Sequence, residues 1–120
     1  MIDRPSPNFD ARHQPISIVV LHYTGMVDGP SAIERLCDPE SRVSCHYLVE
    51  EDGRVLRMVA EEQRAWHAGR SYWRGQSNLN GASIGIEIVN PGHEHGYRPF
   101  TRPQMDALLP LLAGIVRRHQ

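Results

Sequence analysis

The sequence predicts one α/β domain, a β-sheet with a long helix packed on it, and three stretches carry that prediction. Ile16-Ser-Ile-Val-Val-Leu-His-Tyr-Thr-Gly25 is almost unbroken in β-formers; Ser83-Ile-Gly-Ile-Glu-Ile-Val89 alternates between two faces; and Met105 to Val116 repeats its apolar residues at helical spacing. At 120 residues the chain has room for a single core and not for two.

Residues 1 to 15 contain three prolines and predict an irregular arm that packs through Phe9. The apolar run that follows reads as a central strand buried on both faces. His22 closes one of its rows where the strand runs into the Gly25 turn, a place suited to chemistry; a core histidine bonded to a backbone carbonyl is the other reading. Ser31-Ala-Ile-Glu34 has the spacing of a capping box, so a short helix is expected from there to Cys37, stopping before Pro39. Cys45-His-Tyr-Leu-Val49 and Val55-Leu-Arg-Met-Val59 flank a Gly-containing loop and predict a hairpin. His46, in its first arm, fits a structural hydrogen bond or a functional role equally well.

From Ala60 to Asn80 the periodicity disappears, which predicts a long loop. Within it Trp66, His67, Tyr72 and Trp73 supply flat faces with polar tips suited to a binding groove; the other reading is a loop pinned to the core by Trp66. The alternating stretch places Ile84, Ile86 and Ile88 on one face and Gly85, Glu87 and Val89 on the other. A carboxylate inside such a strand is costly unless it is paired or hydrogen-bonded; the competing reading is an edge-strand glutamate facing water. Gly85 beside it removes bulk where a substrate or another chain approaches. His93-Glu-His95 lacks the i, i+4 spacing of a helical zinc motif and reads as a surface loop. Thr101-Arg-Pro-Gln104 caps a helix whose stripe is Met105, Leu108, Leu109, Leu112, Ile115 and Val116, kinked at Pro110 but unbroken.

A net charge of −1 with 22% charged residues offers no basic field for nucleic acid or an anionic membrane. No segment approaches the ~20 apolar residues of a membrane span, and the start has no cationic stretch followed by an apolar core. The expectation is a soluble, cytoplasmic protein; the sequence says nothing of its oligomeric state. Cys37 and Cys45 lack metal-ligand or disulfide-framework spacing and are expected to be reduced and buried.

Val20-Leu-His-Tyr-Thr-Gly25, Arg64-Ala-Trp-His-Ala-Gly69 and Ser83-Ile-Gly-Ile-Glu87, taken in this order, resemble the zinc-dependent N-acetylmuramoyl-L-alanine amidases of type 2, the family that includes the peptidoglycan-recognition proteins. Ser6-Pro-Asn-Phe9 and Ser44-Cys-His-Tyr47 extend the likeness from the arm to the last helix. The resemblance implies a mixed central sheet with helices on both sides and a metal in a groove at its edge. It implies His22 as a zinc ligand, Glu87 as the catalytic carboxylate, Trp66, His67 and Tyr72 as groove residues, and peptidoglycan or a muropeptide as substrate. Zinc in such a site polarises the amide and lowers the pKa of its water to about 7, and the glutamate carries the proton to the leaving amine. In the family, a second histidine and an aspartate or cysteine ligand lie beyond the long helix, in a segment this chain does not have. His119, at the helix end, is no obvious replacement. The resemblance thus implies an amidase domain over 1–120 that is incomplete at its C-terminus, with zinc weak or absent; the alternative is a peptidoglycan-binding module of the same fold that no longer cuts.

Overall fold

A computed structural model describes residues 1–119. Its main sheet contains β1 (Ile2–Asp3), β3 (Ile18–Tyr23), β4 (Tyr47–Val49), β5 (Val55–Arg57) and β7 (Ser83–Ile88), in the order β1-β5-β4-β7-β3. β4 and β5 form the expected antiparallel hairpin, while β1 on β5, β4 on β7 and β3 on β7 are parallel, so the sheet is mixed. Helices α1 (Gly29–Cys37) and α3 (Arg102–Arg118) cover opposite faces. On one face Ile84, Ile86, Ile88, Tyr47 and Val49 pack against Leu108, Leu111 and Ile115 of α3. On the other, Leu48, Leu56 and Val89 pack against Leu36 of α1. The alternation read from β7 is therefore the division between two cores. No helix among the described residues is long and apolar enough to cross a membrane.

Several local expectations change. β3 is not central but an edge strand of the sheet, with Leu21 48% and Tyr23 59% exposed. Apolar continuity reports the surface a strand is able to cover, not whether a neighbour lies on its outer side. The arm is partly regular: β2 (Phe9–Ala11) pairs with β6 (Gln63–Ala65) in a second, two-stranded sheet, which also takes three residues out of the expected loop. Phe9 is exposed, and the arm is anchored by buried polar groups instead. Ser6 Oγ donates to Leu36 O, and Asn8 Nδ2 donates to the carbonyls of Asp38 and Val43, each at 2.9 Å. Before β7 the chain makes a single helical turn, α2 (Leu79–Ala82).

The cap of α1 lies three residues before the expected one. Asp28 accepts from Ser31 N at 2.9 Å, with proline in the first turn, so the serine's amide donates to the cap and its hydroxyl does not supply it. α3 carries the predicted capping box and runs through Pro110 as one helix. Its buried stripe is Gln104, Leu108, Leu111 and Ile115; Leu109 and Val116, expected inside, are 66% and 56% exposed. Gln104 fastens the helix to the sheet: its Oε1 accepts from Thr101 N and its Nε2 donates to Val89 O at 2.7 Å. Both cysteines are free; Cys45 is buried and Cys37 only half so.

Candidate active site

β7, the strand between β4 and β3, carries Glu87, and parallel pairing sets His22 directly beside it. Residues in register on adjacent strands project to the same face, here the α1 face that also receives Gly85. A Cβ added at Gly85 would lie 2.4 Å from Cγ of His67, so what approaches this glycine is the chain's own imidazole and not a foreign molecule. His67 is set there from its backbone: Asn80 Oδ1 accepts from the amides of His67 and Ala68 at 3.1 and 2.8 Å. Its ring then bridges His22 Nε2, 3.2 Å from Nδ1, and Ser83 Oγ, 2.9 Å from Nε2.

Glu87 and His67 open into a cavity of about 170 Å³ between the sheet and α1, lined also by Thr24, Met26, Arg35 and Ser44. Among the described residues nothing hydrogen-bonds the Glu87 carboxylate. Burial pushes its pKa up to about 7, with the Arg35 charge pulling the other way. Burial lowers His67 to about 3, aided by the neighbouring His22, His46 and Arg12, and moves His22 down as well. The site at neutral pH is thus two uncharged imidazoles beside a carboxyl group poised to hold or release a proton.

Of the other residues singled out by sequence, His46 is a structural histidine. It is fully buried, its Nδ1 accepts from Gly85 N at 3.0 Å, and its Nε2 lies 2.9 Å from the Gln63 carbonyl. Trp66 is half-buried and exchanges hydrogen bonds with Ser44, its amide donating to Ser44 Oγ at 2.9 Å. Tyr72 is 73% exposed, and neither it nor Trp66 lines the cavity. His93 and His95 form an exposed turn.

Sequence reasoning passed over Arg12. Its guanidinium donates to the carbonyls of Glu61, Gly81, Gln63 and Ser83 at 2.9–3.1 Å, and Nη2 lies 3.1 Å from His46 Nε2. It binds the arm to the segments that present His67 and β7. A larger cavity, about 920 Å³, is lined by Tyr47 of the sheet and by Arg118 and His119 at the end of α3. Glu61 there accepts from Tyr47, Arg118 and His119, a clasp that holds the end of α3.

Catalytic zinc needs about three protein ligands and an open position. No three His, Cys, Asp or Glu side chains converge among the described residues, so these residues do not fit such a centre. His119, tied to Glu61, is remote from His22 in its hydrogen bonding and supplies no replacement.

Residues 12–120 match the family model described as N-acetylmuramoyl-L-alanine amidase. The chain is 35% identical over 137 residues to the N-acetylmuramoyl-L-alanine amidase AmiD of Escherichia coli K12, a match covering 99% of this chain and 49% of that protein. It is 33% identical over 135 residues to the 1,6-anhydro-N-acetylmuramyl-L-alanine amidase AmpD of Haemophilus influenzae, covering 95% and 70%. The structure superposes with a TM-score of 0.79 on E. coli AmiD in complex with anhydro-N-acetylmuramic acid-L-Ala-D-gamma-Glu-L-Lys, at 38% identity, covering 91% of this chain and 46% of that one. The chain thus spans about half the length of AmiD.

Proposed function

This chain belongs to the N-acetylmuramoyl-L-alanine amidase family, and from that premise we propose that its site serves hydrolysis of the amide joining the lactyl group of N-acetylmuramic acid to L-alanine. The observation that carries the reading is the Glu87 carboxylate, which accepts no hydrogen bond among the described residues and stands on an inner strand in register with His22. An amide resists hydrolysis because water is a weak nucleophile and the amine a poor leaving group. Glu87, with its pKa near 7, answers both by taking the proton from the attacking water and returning it to the departing nitrogen. The half-buried setting keeps bulk water from competing for that proton. The muropeptide bound by AmiD in its solved complex supports a muropeptide substrate for this chain as well. His67 meets substrate at the cavity wall, with Trp66 and Tyr72 assigned to the outer groove.

We propose His22 as the one zinc ligand this chain supplies, since no three donors converge among the described residues. Affinity depends on ligands converging with their hydrogen-bonded supports, so one imidazole holds the ion weakly. After dialysis, elemental analysis of the 120-residue chain is therefore expected to find far less than one zinc per molecule. A stoichiometric value would show that the ligand assignment is wrong.

The activity itself is tested by incubating anhydromuropeptide with zinc and either the 120-residue chain or a version extended by a segment carrying a second histidine and an acidic or thiolate ligand. Mass spectrometry should show free stem peptide with the extended protein and little with the short one. No stem peptide from either would overturn the amidase reading. The missing donors favour a second reading, a module that binds peptidoglycan without cutting it; calorimetric binding of a muramyl peptide without turnover by either protein would establish it. We place the protein in the cytoplasm, acting on soluble fragments, and a strong preference for intact sacculi over anhydromuropeptides would refute that placement.

A further inference from the structure

The hydrogen bonds around His67 determine more than its position. Ser83 Oγ lies 2.5 Å from the Leu79 carbonyl oxygen, which only accepts, so the hydroxyl proton must sit between them. Turned the other way, two oxygen acceptors would face each other at that distance with nothing between. Having given its one proton to Leu79, Ser83 Oγ is an acceptor toward His67, and the nitrogen 2.9 Å away, Nε2, must carry hydrogen. A neutral imidazole protonated on Nε2 has its lone pair on Nδ1. That lone pair faces His22 Nε2 at 3.2 Å, which must then be the donor.

We propose that Ser83 and His67 form a positioning relay that fixes the tautomer of His22, keeping its proton on Nε2 and leaving the Nδ1 lone pair as the ring's free acceptor. The proposal rests on the reading of His22 as the imidazole of the site and names the two residues that prepare it. Two further features serve the same end. Gly85 vacates the space the His67 ring occupies, and Asn80 Oδ1 accepts from the amides of His67 and Ala68. A histidine free to exchange tautomers would present its lone pair on the wrong nitrogen for part of the time. The relay removes that loss by passing a fixed carbonyl's preference through a hydroxyl and one imidazole to another. His67 is thus a positioning residue whatever it also touches in the cavity.

The test is a two-bond ¹H–¹⁵N correlation spectrum of the uniformly ¹⁵N-labelled 120-residue chain at neutral pH, which separates protonated from unprotonated ring nitrogens. His22 and His67 should each show a protonated Nε2 and a bare Nδ1. In Ser83→Ala the acceptor is gone, and both nitrogens of His22 should shift toward averaged positions; Ser83→Thr, which keeps the hydroxyl, should restore the native pattern. A purely structural serine would leave the His22 signals in place. A proton on Nδ1 of His22 in the native chain, or a native His22 pattern in Ser83→Ala, would overturn the proposal. Should the threonine variant not fold, the native spectrum and the alanine variant still decide. Because no amide need be cleaved, the two readings fail separately: the expected pattern in a protein that releases no stem peptide sinks the amidase and leaves the relay, while an active protein with Nδ1 protonated does the reverse.

Discussion

Glu87→Gln should raise the thermal midpoint of the protein at pH 8 and, in the extended protein, lower stem-peptide release by about 10²- to 10⁴-fold. The two effects have one cause. In the unfolded chain the carboxyl titrates near 4.5 and in the fold near 7, because burial disfavours its charge. Between those values the folded state retains a proton that the unfolded state gives up, so stability declines as pH rises through this window and the full penalty applies above it. At about 1.4 kcal/mol per unit, and allowing for the partial exposure of the group, the penalty is about 2–3 kcal/mol. Glutamine keeps the shape and has no charge to desolvate. For a domain of this size the gain corresponds to roughly 10 °C at pH 8, and it should vanish near pH 4, where both proteins are neutral at this position. Equal midpoints at the two pH values would show that Glu87 is solvated and would remove the physical basis for its role.

Arg12→Met should cost about 3–5 kcal/mol, enough to bring a domain of ordinary stability near its threshold. Methionine fills much the same volume but leaves the carbonyls of Glu61, Gln63, Gly81 and Ser83 without their charged donor. Arg12→Lys should recover little, since one ammonium cannot reproduce a planar fork that spans four carbonyls. Urea unfolding measures the loss, and amide shifts in residues 61–67 and 80–85 should show that it is centred on the segments the guanidinium joins. A loss under about 1 kcal/mol would mean that water replaces the arginine at no great cost.

These residues also show where sequence stops being informative. The alternation of Ile84, Ile86 and Ile88, the hairpin around Gly53 and the Thr101–Gln104 cap were legible because each is a local pattern with a local cause. The cap of α1 was misread: Ser31 and Glu34 have the spacing of a capping box, but Pro30 belongs in the first turn and so makes Asp28 the cap. The β2–β6 pairing was not legible, because three-residue strands show no period. Arg12 left no trace, as its partners are backbone carbonyls and have no side-chain signature. Single residues made Glu87 and His22 suspicious, but their adjacency depends on the register of two strands distant in sequence, which only the likeness to a family implied and the fold displays. The role of Gly85 inverted for the same reason: a missing side chain announces close approach without saying by what.

That register has a consequence for synthesis. His22 and Glu87 are neighbours in space yet 65 positions apart along the chain, 22 against 87. On a ribosome adding about 5–20 residues per second, β3 waits roughly 3–13 seconds for the strand it pairs with to be made. During that interval its apolar run has no β7 to lie against, so the nascent chain carries a sticky ribbon until β7 has been made. The candidate active site comes into being only when both strands exist, and a chain ended between His22 and Ser83 would have the histidine, lack the carboxylate and leave β3 without the strand it pairs with.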